Sequence, residues 1–198
     1  MIEGEAKAPN HQTGCPTREE ALILLFEYTK TESLRKHALA VEAVMRAYAK
    51  KFNENEEEWG ITGLLHDFDY EMYPTAEQHP YVGNKILIEK GYPENIRAAI
   101  MGHAPYTKVE RKTKMAQCLF ACDEVSGFVI AVALVRPKKL EGLEPSSVKK
   151  KLKDKAFARS VNREDIRNGM LEFGMPEDEH IAFVIKVLKG NAHTLGLT

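Results

Sequence analysis

The chain has seven histidines, and four of them, His37, His66, His79 and His103, fall between residues 37 and 103. His66 is followed directly by Asp67, and the pair closes the apolar stretch Trp59-Gly-Ile-Thr-Gly-Leu-Leu-His-Asp-Phe-Asp69. Burying an imidazole beside a carboxylate costs several kcal/mol, on the order of a lost ion pair, unless both find partners. A metal ion supplies one partner for both, because imidazole nitrogen and carboxylate oxygen are common ligands of first-row metals. His37 upstream and Asp123 downstream complete a protein set of two His and two Asp, which leaves coordination positions for water or a substrate oxygen. His79 and His103 extend the pattern: with Asp67 bridging, they would hold a second ion about 3.5–4 Å from the first. Their alternative role is to donate hydrogen bonds to a substrate phosphate. Asp69 and Glu71, just after the ligand pair, are candidates to orient or deprotonate an attacking water, the alternative being solvated loop carboxylates.

Ligands so far apart in sequence need rigid elements to bring them together. Thr17-Arg-Glu-Glu20 matches a capping box and opens a helix with Leu22, Leu25 and Phe26. A longer helix is predicted over about 32–52, with Leu34, His37, Ala38, Val41, Val44, Met45 and Tyr48 at helical spacing, so that His37 faces inward. The acidic run 53–58 caps a third helix reaching about Asp67. Another begins at Thr75 or His79 and stops at Gly91, and Pro93 opens a short one ending near Met101 to His103. A long apolar helix follows from Thr113 to about Val135. Asn162 caps a helix ending near Gly174, and the last runs from Pro176 to Lys189 with Gly190 as its stop. No segment alternates with period two, so the fold class is all-α.

The 198 residues form most simply one domain, 17–198, behind a flexible lead-in over 1–16; its core spans about 34–135 and C-terminal helices lie within 146–190. A net charge of -1 argues against a dedicated nucleic-acid binder. No apolar run approaches the ~20 residues of a membrane helix, and the polar start lacks a signal-peptide core, which places the protein in the cytoplasm. Cys118 and Cys122 share a helix face and read as small core residues. Arg35 and Lys36 flank His37, with one of them expected at a pocket mouth, and the lysines 149–151, 153 and 155 form either an anion-attracting patch or a solvated helix face. Phe157, Val161 and Ile166 read as packing against the core.

The order His, His-Asp, Asp on successive helices resembles the HD superfamily of metal-dependent phosphohydrolases. Leu64-Leu-His-Asp-Phe-Asp69, His79-Pro-Tyr-Val-Gly83 and Ala121-Cys-Asp-Glu-Val125 carry the resemblance over about 34–135, and the tail 155–166 is similar to that of small stand-alone HDIG-type hydrolases. The added histidines are similar to those of the binuclear branch, which includes HD-GYP cyclic-dinucleotide phosphodiesterases. Those carry Gly-Lys where this chain has Asp69-Tyr70, and their Gly-Tyr-Pro element is not reproduced after His103. The resemblance implies an HD-domain-like helical bundle binding one or two divalent ions, with Fe, Mn, Co, Ni, Zn and Mg not distinguished. It also implies hydrolysis of a nucleotide or similar small phosphoester by metal-activated water. Two alternatives stand beside it: an HD-type di-iron oxygenase, and a non-catalytic regulatory domain that binds metal or nucleotide.

Overall fold

A computed structural model describes residues 15–198, so the expected flexible lead-in lies, apart from Cys15 and Pro16, outside the described residues. Helix starts follow local capping chemistry. Thr17 and Glu20 form the reciprocal capping box that opens α1 (Arg18–Tyr28). The next helix, α2 (Glu32–Phe52), turns out of its last turn at Asn53, in the left-handed conformation. Asn55 accepts from the amides of Glu57 and Glu58 to open α3 (Glu56–Leu65). Then come α4 (Tyr81–Glu89), α5 (Glu94–His103), a 3-10 turn over Pro105–Thr107, and α6 (Lys114–Leu134), which Thr113 caps. The C-terminal part comprises α7 (Pro145–Leu152), α8 (Arg163–Phe173), α9 (Glu177–Gly190) and α10 (Ala192–Leu195). The described residues contain no strand, in accord with the all-α expectation.

Several readings differ from those made in the sequence. The third helix ends at Leu65 rather than Asp67, and turns occupy residues 66–72. There the Nδ1–H of His66 donates to the carbonyl of Gly63 (2.8 Å), the acceptor that the amide of Asp67 would use in a continuing helix. At the other end of the chain Gly190 does not stop α9; the helix closes at Asn191, α10 follows, and Gly196 takes the positive φ of a helix stop. Lastly, α6 is long and apolar enough to span a membrane by length and composition, contrary to the expectation that no segment approaches that length. Its apolarity is that of a central helix: Leu119, Cys122, Val125, Phe128 and Val129 are all fully buried.

The two 21-residue helices, α2 and α6, pack against each other and organise the rest. α3 packs on α2, α5 and α8 pack on α6, and α9 contacts both long helices. The α2–α3 approach is set by Gly63: a Cβ there would stand 3.0 Å from the Val41 carbonyl and 2.9 Å from Met45. Leu64, Leu65 and Phe68, each fully buried, anchor the segment on either side of His66-Asp67, each contributing roughly 1.5–3 kcal/mol of hydrophobic burial. Buried Glu42 on α2 is held by Arg18 of α1 (2.9 Å) and by Arg46 (2.9 Å), so its charge is paired rather than stranded.

Candidate metal centre

Five segments converge where α2, α3 and α6 meet the start of α4 and the end of α5. His37 comes from α2, His66 and Asp67 from the turn that follows α3, His79 from the turn before α4, His103 from the last residue of α5, and Asp123 from α6. The structure therefore brings together all six residues expected as metal ligands, in two groups: His37, His66 and Asp123, then Asp67, His79 and His103. In the first, His37 Nε2 stands 3.2 Å from His66 Nε2 and 3.0 Å from Asp123 Oδ1, which is 3.3 Å from His66 Nε2. In the second, Asp67 Oδ1 stands 3.2 Å from the Nε2 of both His79 and His103, which are 3.3 Å apart. The other carboxylate oxygen of Asp67, Oδ2, lies 3.5 Å from His66 Nε2, so this one side chain joins the groups.

These distances suit a shared cation. Nitrogen and oxygen ligands at about 2.0–2.2 Å from a first-row ion stand about 2.8–3.6 Å from one another in tetrahedral or octahedral geometry. Hydrogen-bond accounting points the same way. His66 spends its Nδ1–H on the Gly63 carbonyl, His103 on that of Ile100, and His79 on Asp69 Oδ1 at 2.8 Å. Each ring thus turns its Nε2 toward a carboxylate and another ring nitrogen, an arrangement that positive charge, from a proton or a metal ion, stabilises. Burial lowers the basicity of His66, but the Asp67 and Asp123 carboxylates outweigh it and push its pKa up to about 10. The same balance, with Asp67 and Asp69, takes His79 to about 9. Reciprocally, burial raises Asp67 and Asp123, yet the neighbouring rings hold both below the usual carboxylate range.

Asp69 and Glu71, expected to act on water, are placed otherwise. Asp69 is buried, with Oδ1 accepting from His79 and Oδ2 from the amide of Gly83 in the first turn of α4 (2.8 Å). Both oxygens are used in orienting His79, and the residue does not line the cavity above the cluster. A Cβ on Gly83 would stand 2.7 Å from the Asp69 carboxylate, so this contact requires glycine. Glu71 points to the start of α2, where it accepts from the amides of Lys30 and Thr31 and from the Thr31 hydroxyl (2.8 Å). It is a helix-terminus partner, and the structure does not bring it to the cluster.

A cavity of about 580 Å³ opens over the ligand atoms. One side carries Tyr70 and Tyr106; the Tyr106 hydroxyl donates to the His79 carbonyl (2.9 Å). The loop between α7 and α8 also lines the cavity, with Ala158, Ser160, Val161 and Asn162. Arg163 suspends this loop by donating to the carbonyls of Asp154, Phe157, Ala158 and Val161. The tail residues expected to pack inward do so: Ile166 is fully buried, Phe157 meets Phe128 edge-on, and half-buried Val161 packs against the core while also lining the cavity. The lysine patch does not border this space: Lys149 pairs with Asp178, and Lys151 lies over Phe157. Arg35 donates to the Thr29 carbonyl, and Lys36 lines an adjoining cavity that shares His37 and Gly127.

Two acidic residues of the wall, Glu124 and Asp165, were not singled out as site residues from the sequence. Burial, then the charge of Asp123, raises the Glu124 carboxyl to about 7, against an opposing hydrogen bond from the backbone of Asn162. Its place directly after Asp123 on α6 was an available signal, since adjacent helix positions at a cavity edge share its rim. Asp165 was legible only as part of a helix cap, which it is: Asn162 accepts from the amides of Glu164 and Asp165.

The family model of the HD domain matches residues 34–127, a span that holds all six clustered ligands. No curated protein and no solved structure matches the chain.

Proposed function

We propose, from the HD domain match over residues 34–127 and that family being largely one of metal-dependent hydrolases, that the chain hydrolyses a small phosphoester at a two-metal centre. The observation that carries this reading is the double use of Asp67, one oxygen beside His66 and the other between His79 and His103. His37, His66 and Asp123 would hold one ion, His79 and His103 the other, with Asp67 between them. Ions bound there would lower the pKa of water and offset charge developing on a phosphoryl group.

The remaining work falls to the protein. Asp69 keeps the proton of His79 on Nδ1, so that Nε2 stays available as a ligand. Gly63 and Ile100 do the same for His66 and His103 through their carbonyls. Tyr106 fixes the backbone of His79, and the 158–162 loop forms part of the cavity lining. In the reaction a water oxygen forms a bond to phosphorus, the ester P–O bond breaks, and the departing alcohol takes up a proton.

The test joins metal analysis to turnover. Protein loaded with Mn²⁺, Fe²⁺, Co²⁺ or Ni²⁺ should release phosphate from small phosphoesters, and His66→Ala and Asp67→Ala should lose both bound metal and turnover. Oxygen-dependent turnover with iron and no phosphate release would favour the di-iron oxygenase reading instead. Wild-type metal content or phosphate release in both variants would remove the basis of the proposal.

A further inference from the structure

The cavity over the cluster has an unusual charge for a site that handles phosphate. Among the described residues that line it there is no lysine and no arginine, whereas Glu124 and Asp165 add two carboxylates beyond those of the ligand cluster. They reach the space from different elements, Glu124 from α6 and Asp165 from α8. Asn162, between them, donates its side-chain amide to Asp165 (2.7 Å), and its backbone engages Glu124. Two nearby cations are paired with other carboxylates. Arg111 makes a paired contact with Glu172 (2.7 and 2.8 Å) and donates to the Gly102 carbonyl, and Lys36 pairs with Glu32 (2.5 Å).

A single phosphoryl group can be neutralised at the metal centre. Whatever part of the substrate extends beyond it meets carboxylates and the aromatic side chains of Tyr70, Tyr106 and Phe120, which also line the cavity. A second or third phosphoryl group placed there would meet these two carboxyl groups and no lysine or arginine among the described lining residues. An ammonium group would find the reverse: carboxylates to pair with and aromatic rings suited to a cation. The volume of about 580 Å³ accommodates molecules well beyond such a small size, so charge rather than space sets the selection.

Resting on the phosphohydrolase reading, we propose that the substrate is a small phosphomonoester whose alcohol carries an ammonium group, which Glu124 and Asp165 bind. These two are specificity residues and take no part in the bond changes.

The test compares 2-aminoethyl phosphate with its near-isostere n-propyl phosphate and with adenosine triphosphate, using the metal-loaded full chain. The expected result is a kcat/KM for the amino compound at least about tenfold above that for either of the others. In Glu124→Gln and Asp165→Asn the ratio of amino to propyl compound should fall about tenfold, chiefly through KM, with wild-type metal content. Equal rates for the amino and propyl compounds, a preference for the triphosphate, or an unchanged ratio in both variants would overturn the proposal. Calorimetric binding of the same compounds separates the two levels. Preferential binding of 2-aminoethyl phosphate without phosphate release from any compound would sink the phosphohydrolase reading and keep the ammonium pocket. Phosphate release without any such preference would keep the reading and sink the pocket.

Discussion

Two regions of this molecule bury histidine on or beside α6, and they solve the problem in opposite ways. His180 of α9 is satisfied by the protein alone: its Nδ1 accepts from the Tyr48 hydroxyl (2.6 Å) and its Nε2–H donates to the Ala121 carbonyl (2.9 Å). Burial in these neutral surroundings lowers its pKa to about 4, so the ring stays uncharged. His66, equally buried and facing α6 close to the same place, spends one nitrogen on a carbonyl and turns the other toward a ring nitrogen and carboxylates. Its pKa moves upward, toward charge. Burial alone therefore does not mark a ligand histidine. The distinguishing feature is where the second nitrogen goes: into a neutral hydrogen bond in one region, into a group of acceptors in the other.

The comparison can be broken or sharpened by substitution. The largest effect is expected at the joining carboxylate. Asp67→Ala should lower phosphohydrolase activity by on the order of a thousandfold with loss of bound metal, measured by phosphate release and elemental analysis. Activity within a few-fold of wild type would show that the two groups work without it.

Next comes the acid limb of stability at His180. The unfolded ring takes a proton near pH 6.5 and the folded one only near pH 4, so the unfolded state binds more protons between these values. Stability from this residue is present above about pH 6.5 and is lost as pH falls toward 4, a total of about 3 kcal/mol. Gln at this position can retain both hydrogen bonds without titrating, so His180→Gln should flatten that part of the urea-denaturation profile and leave metal content unchanged. An identical pH profile in the variant would contradict the neutral-histidine assignment.

A smaller effect is expected from Gly83→Ala, which forces the Asp69 carboxylate away from His79. Metal affinity should fall by roughly 10–100-fold, as for other disturbed partners of ligand histidines. Unchanged affinity would mean that Asp69 does not orient the ring. Least affected should be Glu71→Gln, with activity within about twofold of wild type, because the residue serves the start of α2 rather than the cavity. A much larger loss would restore Glu71 to the catalytic machinery.

The helices were legible in the sequence because caps and apolar spacing are local properties. Thr17 with Glu20, Asn55 and Asn162 all cap where their types suggest, and His37 faces inward as the apolar spacing of α2 implies. The HD domain match, over 34–127, covers the three core motifs but not the tail 155–166. What was not legible depended on tertiary partners. Asp69 and Glu71 are two acids two residues apart in one turn, and nothing local separates them. Only the amides they meet, Gly83 for one and Lys30 and Thr31 for the other, assign their different positions. His180 attracted no notice because its partners, Tyr48 and Ala121, lie 132 and 59 residues away in sequence. The cavity wall formed by 158–165 was hidden for the same reason, since its proximity to Asp123 arises from the packing of α8 on α6.

The most direct measurement is metal content per chain in wild type, His66→Ala and His180→Gln, loaded with the same metal, desalted and analysed side by side. The account predicts about two ions in wild type and in His180→Gln, and a loss of at least one in His66→Ala. Full metal content in His66→Ala, or a wild-type protein that retains none, would contradict it.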